Sequence, residues 1–176
     1  PNSSIDQVKE LTRWTGHPGF VGGKAHPFWH RYPPAMLLPS AKVLAGIGKP
    51  LLIHAGYDDH GDFLSLADKV PDLTLILAHT GFPGYRSTWE KIKNRPNILV
   101  DLSQTSYVGD SATRQAVEYL GVHRCIFGTD GPYGILAKDG KFDFSFIKRR
   151  IERLFPSPEV RRRLLGDNFR EVAGIS

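Results

Sequence analysis

The chain has 176 residues, 40% hydrophobic and 23% charged, which suits one domain with its own core and excludes a disulfide-stapled mini-protein or a disordered tail. Lys and Arg number 23 against 18 Asp and Glu, for a formal charge of +5, a mild excess that solubility explains as well as an anionic partner does. No run approaches the roughly 20 apolar residues of a membrane helix, and residues 1–6 show no basic and then apolar leader.

In chain order, short apolar runs alternate with helical patterns. Strands are expected at Gly19–Lys24, Pro50–His54, Leu73–His79, Ile98–Leu102 and Cys125–Asp130; Pro50–His54 is a continuous apolar run of the kind buried on both faces of a parallel sheet. Helices are expected between them. Pro34–Gly46 carries Met36, Leu37, Val43 and Leu44 on its apolar side, and Asp62–Val70 stops at Pro71. Tyr85–Asn94 and Ser111–Leu120 follow, the second closing at Gly121. Phe144–Phe155, Pro158–Leu165 and Asp167–Ala173 complete the set, with Ser157 as N-cap and Gly166 as terminator of the middle one. No linker splits the chain, so residues 1–176 read as a single domain. The strand-terminal residues recur every 22 to 30 positions, the spacing of βα units in a doubly wound sheet or a (β/α) barrel.

Each apolar run ends in a residue able to bind a metal or move a proton: Lys24, His54, His79, Asp101 and Asp130. Ligands bind at the carboxyl ends of parallel strands, and in a barrel those ends share one mouth. A lone histidine there is commonly a core or cap residue and a lone aspartate an N-cap; five in one register argue for a site. Imidazole and carboxylate are ordinary ligands of Zn²⁺, which lowers the pKa of a bound water towards about 7. The sequence lacks a GxxxxGK[ST] loop, a GxGxxG turn, a GxSxG elbow and an HExxH helix, so nucleotide-driven chemistry and serine acyl transfer have no support.

The blocks Gly22–Pro27, Leu51–Gly56, Leu77–Gly81 and Ile126–Pro132 resemble the amidohydrolase superfamily, most closely its amidohydrolase-2 branch of metal-dependent hydrolases and decarboxylases. The closing Leu164–Arg170 is similar to that branch's terminal GNA-R motif, departing at Asp167 and Phe169. The resemblance implies α/β architecture of the (β/α)8 TIM-barrel type, with strands four to eight in this chain. It implies His54 as the strand-five metal ligand and His79, after strand six, as a second ligand or a catalytic histidine. Asp130, after strand eight, becomes ligand and general base. Lys24 ends strand four, where some branches carry a carboxylated lysine that bridges two metals. The implied cofactor is a divalent metal, Zn foremost, with Mn or Fe as alternatives. The branch's His-x-His of strand one is absent. With Pro1 in place of an initiator methionine, and about 250 residues needed for a barrel, the expectation is a C-terminal barrel portion holding part of the metal site.

Substrate-binding residues are expected in the barrel loops: His26, Trp29, His30 and Arg31 after the first run, Tyr57 after the second and Tyr133 after Asp130. The expected activity is hydrolysis of a C–N, C–O or lactone bond of a small molecule, or decarboxylation at the same centre. An inactive barrel portion serving as a binding subunit, and a TatD-like phosphoesterase, are the alternatives. The cations at Lys148–Arg150, Arg153 and Arg161–Arg163 read as the solvated face of outer helices rather than a nucleic-acid surface. Cys125, in an apolar run, reads as an inert buried thiol suited to a reducing cytoplasm. Open strand edges favour homo-oligomerisation.

Overall fold

The computed structural model describes residues 6–55, 62–131, 141, 143 and 145–175. Helix α1, Gln7–Thr15, starts where the Asp6 carboxylate accepts the backbone N–H groups of Val8 and Lys9 at 3.0 and 3.1 Å; this cap satisfies donors the first turn leaves open. The sequence reading placed no element there. Five short strands follow: β1 Gly23–Ala25, β2 Leu51–Ile53, β3 Leu75–Leu77, β4 Ile98–Asp101 and β5 Cys125–Ile126. They are shorter than the apolar runs that hold them. Between and after them lie α2 Pro27–His30, α3 Leu38–Gly46, α4 Leu64–Lys69, α5 Tyr85–Ile92, α6 Asp110–Leu120, α7 Ser145–Leu154, α8 Pro158–Arg162 and α9 Asn168–Ala173.

All four strand pairings are parallel, and the order is β1-β2-β3-β4-β5. A doubly wound sheet reverses its order at a switch point; this sheet never does, which is the arrangement of a barrel wall. The register places Gly23, Leu51 and Leu75 in one row and Lys24, Leu52, Ile76 and Leu99 in the next. The strands' outer face (Leu51, Ile53, Leu75, Leu77, Ile98, Val100, Cys125) packs with Leu44, Leu66, Trp89, Ile92, Ala116, Ile151 and Leu164 in the main core. The inner face is thinner: among the described residues Ile76, Leu99 and Ile126, with Leu52, pack against Phe169 and Val172 of α9.

Three expectations need correction. Met36 is exposed, in a tight turn (Pro34–Leu37) ahead of α3. Gly166 does not end a helix, because Arg163–Asp167 forms one widened turn that runs straight into α9. Arg162, Asp167 and Asn168 keep right-handed helical angles, and the Asn168 amide ties the turn to the carbonyls of Val122 and Cys125 at 2.7 and 2.8 Å. Arg150, read as solvated, is buried: it donates to Asp110 Oδ1, the Val108 carbonyl and Thr113 Oγ1 at 2.7, 2.7 and 2.8 Å. Lys148, Arg149 and Arg153 lie at the surface as expected, paired with Glu152, Asp143 and Asp110, and Arg162 is exposed while Arg161 and Arg163 are half-buried. Ser157 caps α8 and Gly121 closes α6 at φ 89°.

Candidate active site

The loops at the carboxyl ends of the strands meet around a cavity of about 680 Å³. Lys24 reaches it from within β1, whose last residue is Ala25 rather than the expected lysine. His26 follows as the cap of α2, its Nδ1 accepting the Trp29 N–H at 3.2 Å. His54 comes directly after β2. His79 and Asp130 lie beyond their strands at left-handed φ values of 52° and 53°. Among the described residues the non-glycine positions with positive φ are Arg31, His79, Thr80, Gln104 and Asp130. Each costs about 1–2 kcal/mol of backbone strain, and all five lie in the loops that follow strands, where strain held by surrounding structure points to function.

The side chains form a chain of contacts. The rings of His26 and His54 stack with centroids 3.5 Å apart and 18° between planes. His54 meets His79 edge-on at 4.7 Å, and His79 Nε2 faces Asp130 Oδ2 across 3.9 Å. Burial, reinforced by His26, His79 and the Lys24 ammonium, lowers the pKa of His54 from 6.5 to about 3. Burial, then Lys24 and His30, also holds His26 below its ordinary value. For His79 burial outweighs the opposing pull of Asp101 and Asp130, and the net shift is again downward. Three adjacent imidazoles are therefore neutral near pH 7, the form in which histidine binds metal.

The donor chemistry fits a divalent ion: two neutral imidazoles, His54 and His79, beside the Asp130 carboxylate. Ligand atoms on a tetrahedral zinc stand about 3.4 Å apart, and the His79–Asp130 separation of 3.9 Å is close to that. Among the described residues no three His, Cys, Asp or Glu side chains close around one point. The described residues thus offer an open arc of donor side chains rather than a cage.

Of the expected site residues, Lys24, His26, Trp29, His30, His54, His79 and Asp130 all line this one cavity. Arg31 does not; it closes α2 in a left-handed conformation. Tyr57 and Tyr133 lie outside the described residues. Phe28, Gln104, Tyr107 and Gly131 complete the lining, and sequence reasoning missed the role of Gln104, whose Nε2 donates to Asp130 Oδ2 at 3.0 Å. It missed Ser103 as well, which bonds His79 Nδ1 at 2.9 Å. The available signal was the strand-terminal Asp101, which marked the loop without naming its members. Cys125 is fully buried, and burial pushes its thiol up to about 12, as an inert core residue requires.

Five parallel strands in sequential order, with histidine and aspartate at their carboxyl ends, define an α/β barrel wall with polar side chains at its mouth. The amidohydrolase-2 family model, described as amidohydrolase, matches residues 1–174, and the chain belongs to that family. No curated protein matches. Among solved structures, a candidate 2-pyrone-4,6-dicarboxylic acid hydrolase from Pseudomonas putida aligns at 21% identity and TM-score 0.69, over 97% of this chain and 68% of that one. A dihydroxybenzoic acid decarboxylase from a Polaromonas species, with bound manganese and the inhibitor 2-nitroresorcinol, aligns at 16% identity and TM-score 0.70, over 95% and 64%. A 5-carboxyvanillate decarboxylase from Novosphingobium aromaticivorans, also with manganese, aligns at 15% and 0.68, over 96% and 61%. These likenesses establish the fold, and the chain spans about two thirds of the length of those proteins. No helix among the described residues is long and apolar enough to cross a membrane.

Proposed function

We propose that this chain forms the catalytic mouth of a metal-dependent enzyme that hydrolyses a C–N, C–O or lactone bond of a small ring carboxylate, or removes its carboxyl group. The observation that carries this reading is the meeting of neutral His54 and His79, the Asp130 carboxylate and the Lys24 ammonium in one cavity. His54, His79 and Asp130 would hold a divalent ion, with zinc suited to the nitrogen and oxygen donors and manganese present in two of the similar structures. Such an ion supplies Lewis acidity, lowering the pKa of water and polarising a substrate oxygen.

The remaining chemistry belongs to side chains. In hydrolysis the Asp130 carboxylate accepts the proton of the attacking water and returns it to the leaving group. In decarboxylation the same group, protonated, delivers its proton to the ring carbon that loses CO₂. Lys24 attracts a substrate carboxylate electrostatically when left as an ammonium; carboxylated, it becomes a further ligand. Phe28, Trp29 and Tyr107 offer ring faces to an unsaturated substrate. The pyrone hydrolase and benzoate decarboxylases among the similar structures act on compounds of that class. A lone buried thiol is in keeping with work in a reducing cytoplasm.

Elemental analysis of the intact protein loaded with Mn²⁺ or Zn²⁺ tests the reading, together with His54→Ala and Asp130→Ala. Each substitution is expected to lower metal affinity at least about tenfold and turnover of a pyrone or hydroxybenzoate carboxylate by more. Undiminished metal content and turnover in both variants would remove His54 and Asp130 from the site.

A further inference from the structure

The loop leaving β4 touches both groups that face each other in the mouth. Asp101 Oδ1 accepts the backbone N–H of His79 at 3.1 Å and that of Ser103 at 2.9 Å, and it also takes the Ser103 hydroxyl. Ser103 Oγ lies 2.9 Å from His79 Nδ1. All three residues are buried, with Ser103 at 2% exposure, so Asp101 Oδ1, Ser103 Oγ and His79 Nδ1 take their partners from one another.

Proton accounting then leaves one arrangement. A carboxylate oxygen that takes two amide donors is an acceptor, and a hydroxyl has a single proton to give. That proton goes to Asp101. Only a lone pair of Ser103 then faces His79, so Nδ1 must be the protonated nitrogen. Nε2 is left with a bare lone pair, aimed at Asp130 Oδ2 across 3.9 Å. Two lone-pair atoms facing each other make a slot for a cation or for the proton of a water. Gln104, from the same loop, steadies the far side by donating to that Oδ2 at 3.0 Å. It is held there at φ 60°.

We propose that Asp101, Ser103 and Gln104 act as a positioning loop that fixes His79 in its Nδ1–H tautomer and presents Nε2 and the Asp130 carboxylate to one another. The tautomer follows from the hydrogen bonds alone; its catalytic use rests on the hydrolase-or-decarboxylase reading. Long-range ¹H–¹⁵N spectra of the metal-free intact protein, labelled at histidine, read the tautomer directly. His79 is expected to carry its proton on Nδ1, and a dominant Nε2–H form overturns the proposal without any variant being made. Ser103→Ala is expected to disperse or shift the His79 nitrogen signals and to weaken Mn²⁺ binding about 10- to 100-fold. Ser103→Thr, which keeps the hydroxyl, is expected to restore both. Unchanged nitrogen shifts and unchanged Mn²⁺ affinity in Ser103→Ala would also overturn the proposal. If the wild-type protein binds no Mn²⁺ at all, the metal-enzyme reading fails while the tautomer result stands by itself.

Discussion

His54 stacks on one imidazole, meets a second edge-on and feels a nearby ammonium, and its charged form is correspondingly disfavoured. The unfolded chain protonates this residue near pH 6.5, whereas the folded chain resists until about pH 3. Between those values the unfolded state binds the extra proton, so stability is full above pH 6.5 and falls as the pH drops towards 3. His26 and His79, also shifted downward, act in the same direction. Urea unfolding of the metal-free protein at about pH 7.5 and 5 should therefore show a loss of stability on acidification. His54→Gln should show a smaller loss; identical pH slopes in the two proteins would mean that His54 is not held neutral. At the same scale, the sequence pointed to His54, His79 and Asp130 because residue type and position after an apolar run are local properties. It was silent on Ser103 and Gln104, because a serine and a glutamine have no meaning until His79 and Asp130 are placed beside them.

At the scale of the element, α7 shows why cations on one helix are not equivalent. Arg149 and Lys148 lie on its exposed side, while Arg150 points inward to the start of α6. Its guanidinium holds Asp110, first through that hydrogen bond and then with help from Arg153, below its ordinary value. Removing Arg150 leaves the Val108 carbonyl and Thr113 hydroxyl without this donor in a buried setting. Arg150→Met is expected to cost about 3 kcal/mol in a urea titration, and Lys148→Ala no more than about 0.5 kcal/mol. Comparable small losses in both would show Arg150 to be dispensable. The periodicity of α7 identified its apolar side but not this arginine, since its partners lie about 40 residues earlier in the chain. The widened turn at Arg163–Asp167 escaped for a related reason. A glycine is read locally as a stop, and here the Asn168 bonds to Val122 and to Cys125 of β5 anchor the continued turn.

At the scale of the whole molecule, the two faces of the sheet differ in what covers them. Leu75 is fully buried in the main core beneath the helices, whereas Leu52 on the inner face is partly exposed and shares its cover with Phe169 and Val172. Leu75→Ala is expected to cost about 3 kcal/mol and Leu52→Ala about half of that, because less area leaves water there on folding. Equal losses on denaturant unfolding would show that the inner face carries as much packing energy as the outer.

The sequence by itself determined the alternation of apolar runs and helices, the parallel character of the strands and the placing of histidine and aspartate at their carboxyl ends. Those features follow from periodicity and composition over a few neighbouring residues. Only the tertiary structure decided that the strands run in unbroken order around a barrel wall and that left-handed turns carry His79 and Asp130 to face one another. It alone placed Ser103 against His79 and Gln104 against Asp130. Each of these depends on hydrogen bonds and burial between segments more than 20 residues apart, which no local pattern encodes.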